Sequence, residues 1–458
     1  MAAPISDSEP GWAEEADDVA TLHEKALALV DGHPQVQDWA VRTFRRRSLE
    51  RYLVREQVES QRMVETERAV VEVHRDLHSP EREPRRGFSS FTLLPDDDTS
   101  AGRQKLEEAI FAAGLALNPT YELPGPARYP EVLTLDPELV RSPGEALAEL
   151  SAQLLRQLKR EPQVELSSAE FFAHVLETQL ANSRGVETRK EETQLVVELV
   201  LLSSDGHEES EYFASLQRRA LRDPDLATEV ARGAARARDS LRAGVPPTRT
   251  GPVAISRRAL LDLLAFLRHA TSGSMKYQHL SQWEMGQSVY GDKEVKGELL
   301  NLETDGTLPW GIGTAPFDDD GVPGQRVALV EAGVLKRFWA DYRHAQYLSI
   351  PPTGTFGNLV IPGGRTPAAE LLNPADRLFH IVSFASMDPD PITGEFVGEI
   401  RLGYDVGAGE TRPFKGGALS GNMEGALADV RFSQEQIFLG GYWGPEVALF
   451  GELAVGGN

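Results

Sequence analysis

Cysteine is absent from the 458 residues, which excludes disulfides, thiolate metal ligands, iron–sulfur clusters and a Cys nucleophile. Positive charge is scarce: 47 Lys and Arg stand against 70 Asp and Glu, a net charge of −23. So acidic a chain is a poor match for nucleic acid or an anionic membrane, which need clustered positive charge. No apolar run approaches the roughly 20 residues that span a bilayer. The first 19 residues are acidic (Glu14, Glu15, Asp17, Asp18) and hold no apolar segment of the signal-peptide kind. The expectation is a soluble, cytoplasmic protein. With 41% hydrophobic and 26% charged residues, there is enough apolar mass for a sizeable core, and the length suggests about two to three domains.

Residues 1–20 read as a solvated acidic tail. From Val19 to Glu59 the spacing predicts helix, with Leu22, Ala26, Leu29 and Val30 on one stripe and Trp39, Phe44, Leu49 and Leu53 further on. Arg42, Arg45, Arg46, Arg47 and Arg51 then form a solvated helix face with partners such as Glu50 and Glu56, not a nucleic-acid surface. Strands are expected at 69–74 and 87–93, with a charged turn over 80–86, and a helix at 106–117. Ser142-Pro-Gly-Glu145 has the form of a capping box opening a helix to Leu158. Ser167-x-x-Glu170 has the same form before a helix over 171–180, which Asn182–Gly185 would end. A β run at 193–202 turns at Ser204-Asp-Gly206 into 209–214, and 224–242 reads as helix. Past Gly244-Val-Pro-Pro247 the pattern changes to one helix, Ser256–Thr271, and then short strands at 326–330, 334–339, 378–385, 395–402 and 447–453. The chain therefore reads as α+β. The N-terminal domain, 21–245, combines helices with antiparallel sheet in two units. The C-terminal domain, 246–458, is mainly antiparallel β.

No self-contained catalytic constellation emerges from the residues. His-Glu occurs twice, but neither His23-Glu24 nor His207-Glu208 is followed by a second His at zincin spacing. His74 and His78 lie at i,i+4 on a strand-like segment, too far apart for one ion, and read as surface histidines. Gly286-x4-Gly291 is followed by Asp292 where a phosphate-binding loop needs Lys. Gly311-Ile-Gly313 lacks the third glycine of a dinucleotide fingerprint. Asp318-Asp319-Asp320 before Gly321 could hold Ca²⁺ or Mg²⁺, yet it lacks the alternating ligands of an EF loop, and a polar turn is the simpler reading.

The order of motifs in the second half resembles one family. Gly313-Thr-Ala-Pro-Phe317-Asp-Asp-Asp320-Gly321-Val-Pro323, then Val330-Glu-Ala-Gly333-Val-Leu335, is similar to the acidic block of the TldD/PmbA proteins. Thr353-Gly-Thr-Phe356-Gly-Asn358, Pro362-Gly363, Thr393-Gly-Glu-Phe396, Gly403-Tyr404, Gly409-Glu410 and Ser420-Gly-Asn422 follow in the same order. Upstream, Arg86–Ser90, Leu123-Pro124 and Asn182–Gly185 also fit. The resemblance covers residues 65 to 455. It implies a two-subunit zinc metalloprotease whose N-terminal and C-terminal domains enclose a chamber for unfolded peptides. In the TldD branch, a helix bearing His-Glu-x-x-x-His and a late Cys hold the zinc. Here Ala265-Phe-Leu-Arg-His269-Ala270 stands in the helix and Gly440-Gly-Tyr-Trp443-Gly444 in the late loop, so ligands and base are missing. The chain looks like the TldE (PmbA-like) branch. What this implies is a non-catalytic subunit with no cofactor of its own, a TldD-type partner carrying zinc, unfolded peptide as substrate, and no nucleic-acid or membrane partner. A stand-alone peptide-binding or chaperone-like protein is the alternative. A third reading, an enzyme with an unfamiliar metal site or a metal-free one, would first implicate His269 and His279. The family-signature positions expected near the chamber are Phe317, Asp318, Asp320, Gly321, Gly354, Gly357 and Asn358.

Overall fold

A computed structural model describes residues 20–79, 82–115, 118–221, 226–373, 377–407 and 409–457. The architecture is α+β. A seven-stranded antiparallel sheet forms the N-terminal half from β1 (Asp38–Val54), β2 (Gln57–Ser79), β3 (Arg82–Leu93), β4 (Asn118–Pro119), β5 (Val164–Asn182), β6 (Glu187–Ser204) and β7 (Glu209–Arg218), in the order β4-β3-β2-β1-β5-β6-β7. Alternation along these strands sends odd-numbered β1 residues to one face and even-numbered residues to the other. Helices α1 (Leu22–Val30) and α2 (Thr99–Ala113) cover the first face near Val41, Val71 and Val73. After the short helix α3 (Pro137–Arg141), helices α4 (Pro143–Leu158) and α5 (Leu226–Leu241) cover the same face near Leu49, Phe171 and Leu199. The opposite face presents Phe44, Ser48 and Tyr52 beside Phe172, His174 and Leu176.

The C-terminal half holds two further sheets. Strand β8 (Arg249–Ser256) leads into α6 (Arg257–Ala270) and α7 (Gly273–Tyr277). One sheet has the order β11-β10-β9-β12-β19-β18, from β9 (Leu302–Asp305), β10 (Arg326–Glu331), β11 (Val334–Leu335), β12 (Asn358–Val360), β18 (Gln436–Leu439) and β19 (Tyr442–Pro445). In the other, β13 (Leu378–Met387), β8, β20 (Val447–Gly456), β16 (Ala418–Asn422) and β14 (Glu395–Gly407) run side by side, and β14 pairs back to β13 to close the ring. Strands β15 (Glu410–Phe414) and β17 (Val430–Phe432) attach to β14 and β20. Helix α6 buries Leu260, Leu263, Leu264 and Leu267 in the core between these sheets. The remaining helices are α8 (Tyr342–Leu348), α9 (Ala368–Leu371) and α10 (Met423–Ala428). No helix among the described residues is long and apolar enough to cross a membrane.

Several expected elements differ. The helix expected over 19–59 stops at Val30, and its second part is β1, the central strand of the sheet. There the arginines pair across strands, Arg42 with Glu72 and Arg45 with Glu65, instead of along a helix. The helix expected over 171–180 is part of β5, so the capping-box match at Ser167 is accidental; a strand between two neighbours satisfies its backbone groups laterally. Helix α4 forms as expected, but the Ser142 side chain makes no capping bond. Arg82–Arg86, expected in a turn, belong to β3. Of the run expected over 334–339, only Val334–Leu335 forms a strand, while Trp339 makes an isolated bridge to Ser272. Of the two histidines read as surface groups, His74 is buried at 2% exposure. The acidic tail before residue 20, residues 80–81 of the expected turn, residues 116–117 of one expected helix and residues 224–225 of another lie outside the described residues.

Candidate functional site

The loop from Gly311 to Pro323 lies between the N-terminal sheet and the C-terminal sheets, and its own residues dictate its shape. Phe317 is fully buried against Tyr129, Leu180 and Val186, its ring 5.2 Å from that of Tyr129. Asp318 then turns the chain. Its Oδ1 accepts from the backbone N–H of Asp320 (3.0 Å) and Val322 (2.9 Å), and its Oδ2 from that of Thr355 (2.9 Å). Gly321 adopts a φ of +93° with Leu180 and Val186 close against its Cα, a conformation that disfavours any side chain. Gly354 lies beside the Asp318 carboxylate. Asn358 is fully buried and staples the start of the loop: its Oδ1 accepts from Gly313 N–H (2.9 Å), and its Nδ2 donates to Asp305 O (2.6 Å) and Thr314 Oγ1 (2.8 Å). At Gly357 a Cβ would sit 2.6 Å from the Gly306 nitrogen, so only glycine fits this backbone crossing.

Three cations from the N-terminal half grip carbonyls of the same loop. Arg42 on β1 donates to Asp319 O (3.1 Å), and Lys190 on β6 donates to Phe317 O (3.2 Å) while lying over the Phe317 ring. Arg219, just past β7, donates to the carbonyls of Gly311 (2.9 Å), Ile312 (2.6 Å) and Thr314 (3.0 Å) and pairs with Glu192 at 2.9 Å. Burial pulls the Arg219 pKa down, against the opposing pull of Glu192.

The structure thus brings Phe317, Asp318, Gly321, Gly354, Gly357 and Asn358 together as the framework of this junction. Asp320 is the exception. Cavities flank the acidic turn on either side. One of about 240 Å³ includes Lys190, Arg219, Phe317, Asp318 and Gly354 in its wall. The other, about 150 Å³, is walled by Glu72, His74, Tyr121, Asp320 and Arg343 among others. Burial raises the Asp318 pKa, held back by its three backbone donors. Burial lifts Asp320 further, to about 7, helped by the charges of Asp318, Asp341 and Glu72 and opposed by Arg42. His74 is lowered to about 4 by burial and by Arg86 and Arg343. Sequence reasoning missed Arg42, Lys190, Arg219 and His74 as site residues. Their partners lie tens to hundreds of positions away in the chain, and no local pattern marks them.

A zinc site does not fit the residues present. On α6, Ala265 is an exposed methyl, Phe266 packs edge-on to Trp283 (5.9 Å) and Ala270 is buried, so none of the three positions where ligands and base would stand offers a donor atom. In the late loop, Tyr442 is fully buried with its hydroxyl donating to Pro445 O (3.0 Å), beside a part-exposed Trp443. His269 and His279 are both exposed, and among the described residues no three His, Asp or Glu side chains converge on a metal position.

Comparison with known proteins bears on this arrangement. Residues 248–457 match the model of the PmbA/TldA metallopeptidase C-terminal domain. A Methanocaldococcus jannaschii protein without assigned function is 25% identical over 66% of this chain and 71% of its own length. A metalloprotease TldD homolog of Buchnera aphidicola is 28% identical over 26% of this chain, and the match spans only 27% of that relative. Among solved structures, TldE from Thermococcus kodakarensis superimposes with a TM-score of 0.77 at 18% identity, covering 95% of this chain and 99% of its own. At that identity the likeness is one of fold.

Proposed function

For a chain that belongs to the TldD/PmbA family and is TldE-like in fold, we propose the role of non-catalytic subunit in a TldD/TldE-type zinc metalloprotease. The observation that supports it most is α6. Where the catalytic branch carries His, Glu and His, this helix has Ala265, Phe266 and Ala270, two of them packed into the core. The zinc belongs to a TldD-type partner, and no step of peptide cleavage runs through residues of this chain. Its contribution is architectural. The face of the N-terminal sheet bearing Phe44, Tyr52, Phe172 and His174 forms part of a chamber wall, and unfolded peptide is the substrate. Extended chains pair through their main chain with little regard to sequence, which suits a protease acting on unfolded segments in the cytoplasm.

Co-expression with a TldD-type subunit from the same genome tests this, followed by size exclusion, zinc analysis and cleavage of an unfolded peptide. The expected result is a stable complex with one zinc per pair, whose cleavage is lost when this chain is omitted. Failure to associate, or full activity of the partner alone, would overturn the reading in favour of a stand-alone peptide-binding protein.

A further inference from the structure

The 150 Å³ cavity on the Asp320 side of the junction takes no part in the role proposed above, and its chemistry is unbalanced. Its wall carries Glu72, Glu122, Asp320 and Asp341 against one cation, Arg343. Arg343 lies over the rings of Phe88 and Tyr121, not on a carboxylate. Glu72 is matched by Arg42, and Asp341 by the backbone N–H and ring of His344. The Asp320 carboxylate receives no hydrogen bond from the described residues; only its backbone N–H is engaged, by Asp318. Beside it, His74 is 2% exposed, its Nδ1 lies 3.1 Å from the Tyr121 hydroxyl, and its Nε2 has no partner. An unpartnered buried imidazole nitrogen costs free energy unless something fills the space.

The geometry points to a binding pocket for a compact organic ammonium group, with Asp320 as counter-ion and His74 Nε2 as a second acceptor. An ammonium has three donors and no acceptor, which suits a wall rich in carboxylate and bare imidazole. A metal ion suits it less, because among the described residues no three His, Asp or Glu side chains are placed to share one ion. The volume equals about five waters, room for a –CH₂–NH₃⁺ end and little more. The imidazole is neutral at physiological pH, since burial and the neighbouring arginines hold it at about 4. The ligand selects the tautomer that donates from Nδ1 to Tyr121 and leaves Nε2 free to accept. The ammonium can come from a peptide N-terminus or from a lysine side chain, and exposed Glu122 marks the rim through which either enters.

The pocket belongs wholly to this chain, so its test is separate from that of the heterodimer. Titration calorimetry on the full chain at pH 8 compares triglycine amide, N-acetyl-triglycine amide and N-acetyl-lysine amide. One or both ammonium probes bind, and the acetylated peptide does not. Binding of the lysine probe alone assigns the pocket to side chains, and of triglycine amide alone to N-termini. Asp320→Asn weakens binding at least tenfold and His74→Phe several-fold, with circular dichroism unchanged. For the lysine probe, affinity at pH 6 is about tenfold below that at pH 8, because a cation binds the ionised carboxylate and Asp320, facing Asp318, Asp341, Glu72 and Arg42, titrates near 7. For triglycine amide, whose α-amine is itself about half deprotonated at pH 8, the drop is about fourfold. No binding by either ammonium probe, equal binding of the acetylated peptide, or wild-type affinity in Asp320→Asn would overturn the assignment.

Discussion

The two halves of the molecule hold their strands together by different means. In the N-terminal sheet, β1 and β5 stay in register from Ala40↔Asn182 to Val54↔Ser168 without interruption, and on its other side β1 is tied to β2 by cross-strand ion pairs such as Arg45–Glu65. Each pair is one of many, and an exposed pair contributes little on its own. The C-terminal sheets around the junction run only two to six residues in β9, β10, β11 and β12. There the fold depends on single side chains that each satisfy several backbone groups, Asn358 and Asp318 above all, and on backbone crossings such as Gly357. Redundancy in one half and concentration in the other teach that damage should be graded by location more than by residue type.

Substitutions can break that contrast. The largest effect is expected for Arg219→Met, which strips Glu192 of its buried partner and three carbonyls of their donor; removing one member of a buried pair costs about 4 kcal/mol, measured by urea denaturation. Gly357→Ala should cost about 3 kcal/mol, because a Cβ cannot occupy a 2.6 Å gap without moving backbone. Asp320→Asn should act in the opposite direction, stabilising the chain by up to about 4 kcal/mol at pH 8 with the gain fading by pH 4. The folded carboxyl titrates near 7 and the unfolded one near 3.9, so the wild type loses stability as pH rises between these values. His74 and His174 work the other way. Both are held at about 4 by burial first and neighbouring arginines second. Unfolded imidazoles protonate near 6.5, so their contribution is lost as pH falls from about 6.5 to 4. Asp320→Asn should therefore steepen the acid side of the stability profile, and His174→Gln should flatten it. Smallest is Glu65→Gln, within about 0.5 kcal/mol, since the Arg45 pair is half exposed within a long ladder.

What was legible in the sequence follows the same division. Helices α4, α5 and α6 were readable because each buries one face and exposes the other, leaving a clean 3.6-residue stripe such as Leu260, Leu263, Leu264 and Leu267. Strands β1 and β5 were misread because the sheet's second face is neither solvent nor core. It mixes Arg42, Phe44, Arg46 and Ser48 with Phe172 and His174, so alternation by polarity is lost, and the accidental Ser167-x-x-Glu170 suggested helix. The acidic turn was recognisable from its motif, although its bonds are structural: Asp318 holds its own loop. The partners of that loop were not recognisable. Arg219 meets Gly311, Ile312 and Thr314 across more than ninety residues, and His74 becomes a buried acceptor only when the 121–124 connector and the start of α8 close over it.

The three cations that grip the Gly311–Pro323 loop also have a mechanical meaning. Arg42, Lys190 and Arg219 arise from separate positions across one sheet, and all anchor on carbonyls of a single short segment, so shear or rotation of one half against the other strains all three attachments at once. A clamshell motion within the chain would have to expose Arg219 and the fully buried Phe317 together. The described chain is therefore built to move as one stiff lever. In the two-subunit assembly proposed above, admission of a long substrate then falls to hinging between chains or to a permanent aperture, not to breathing within this chain.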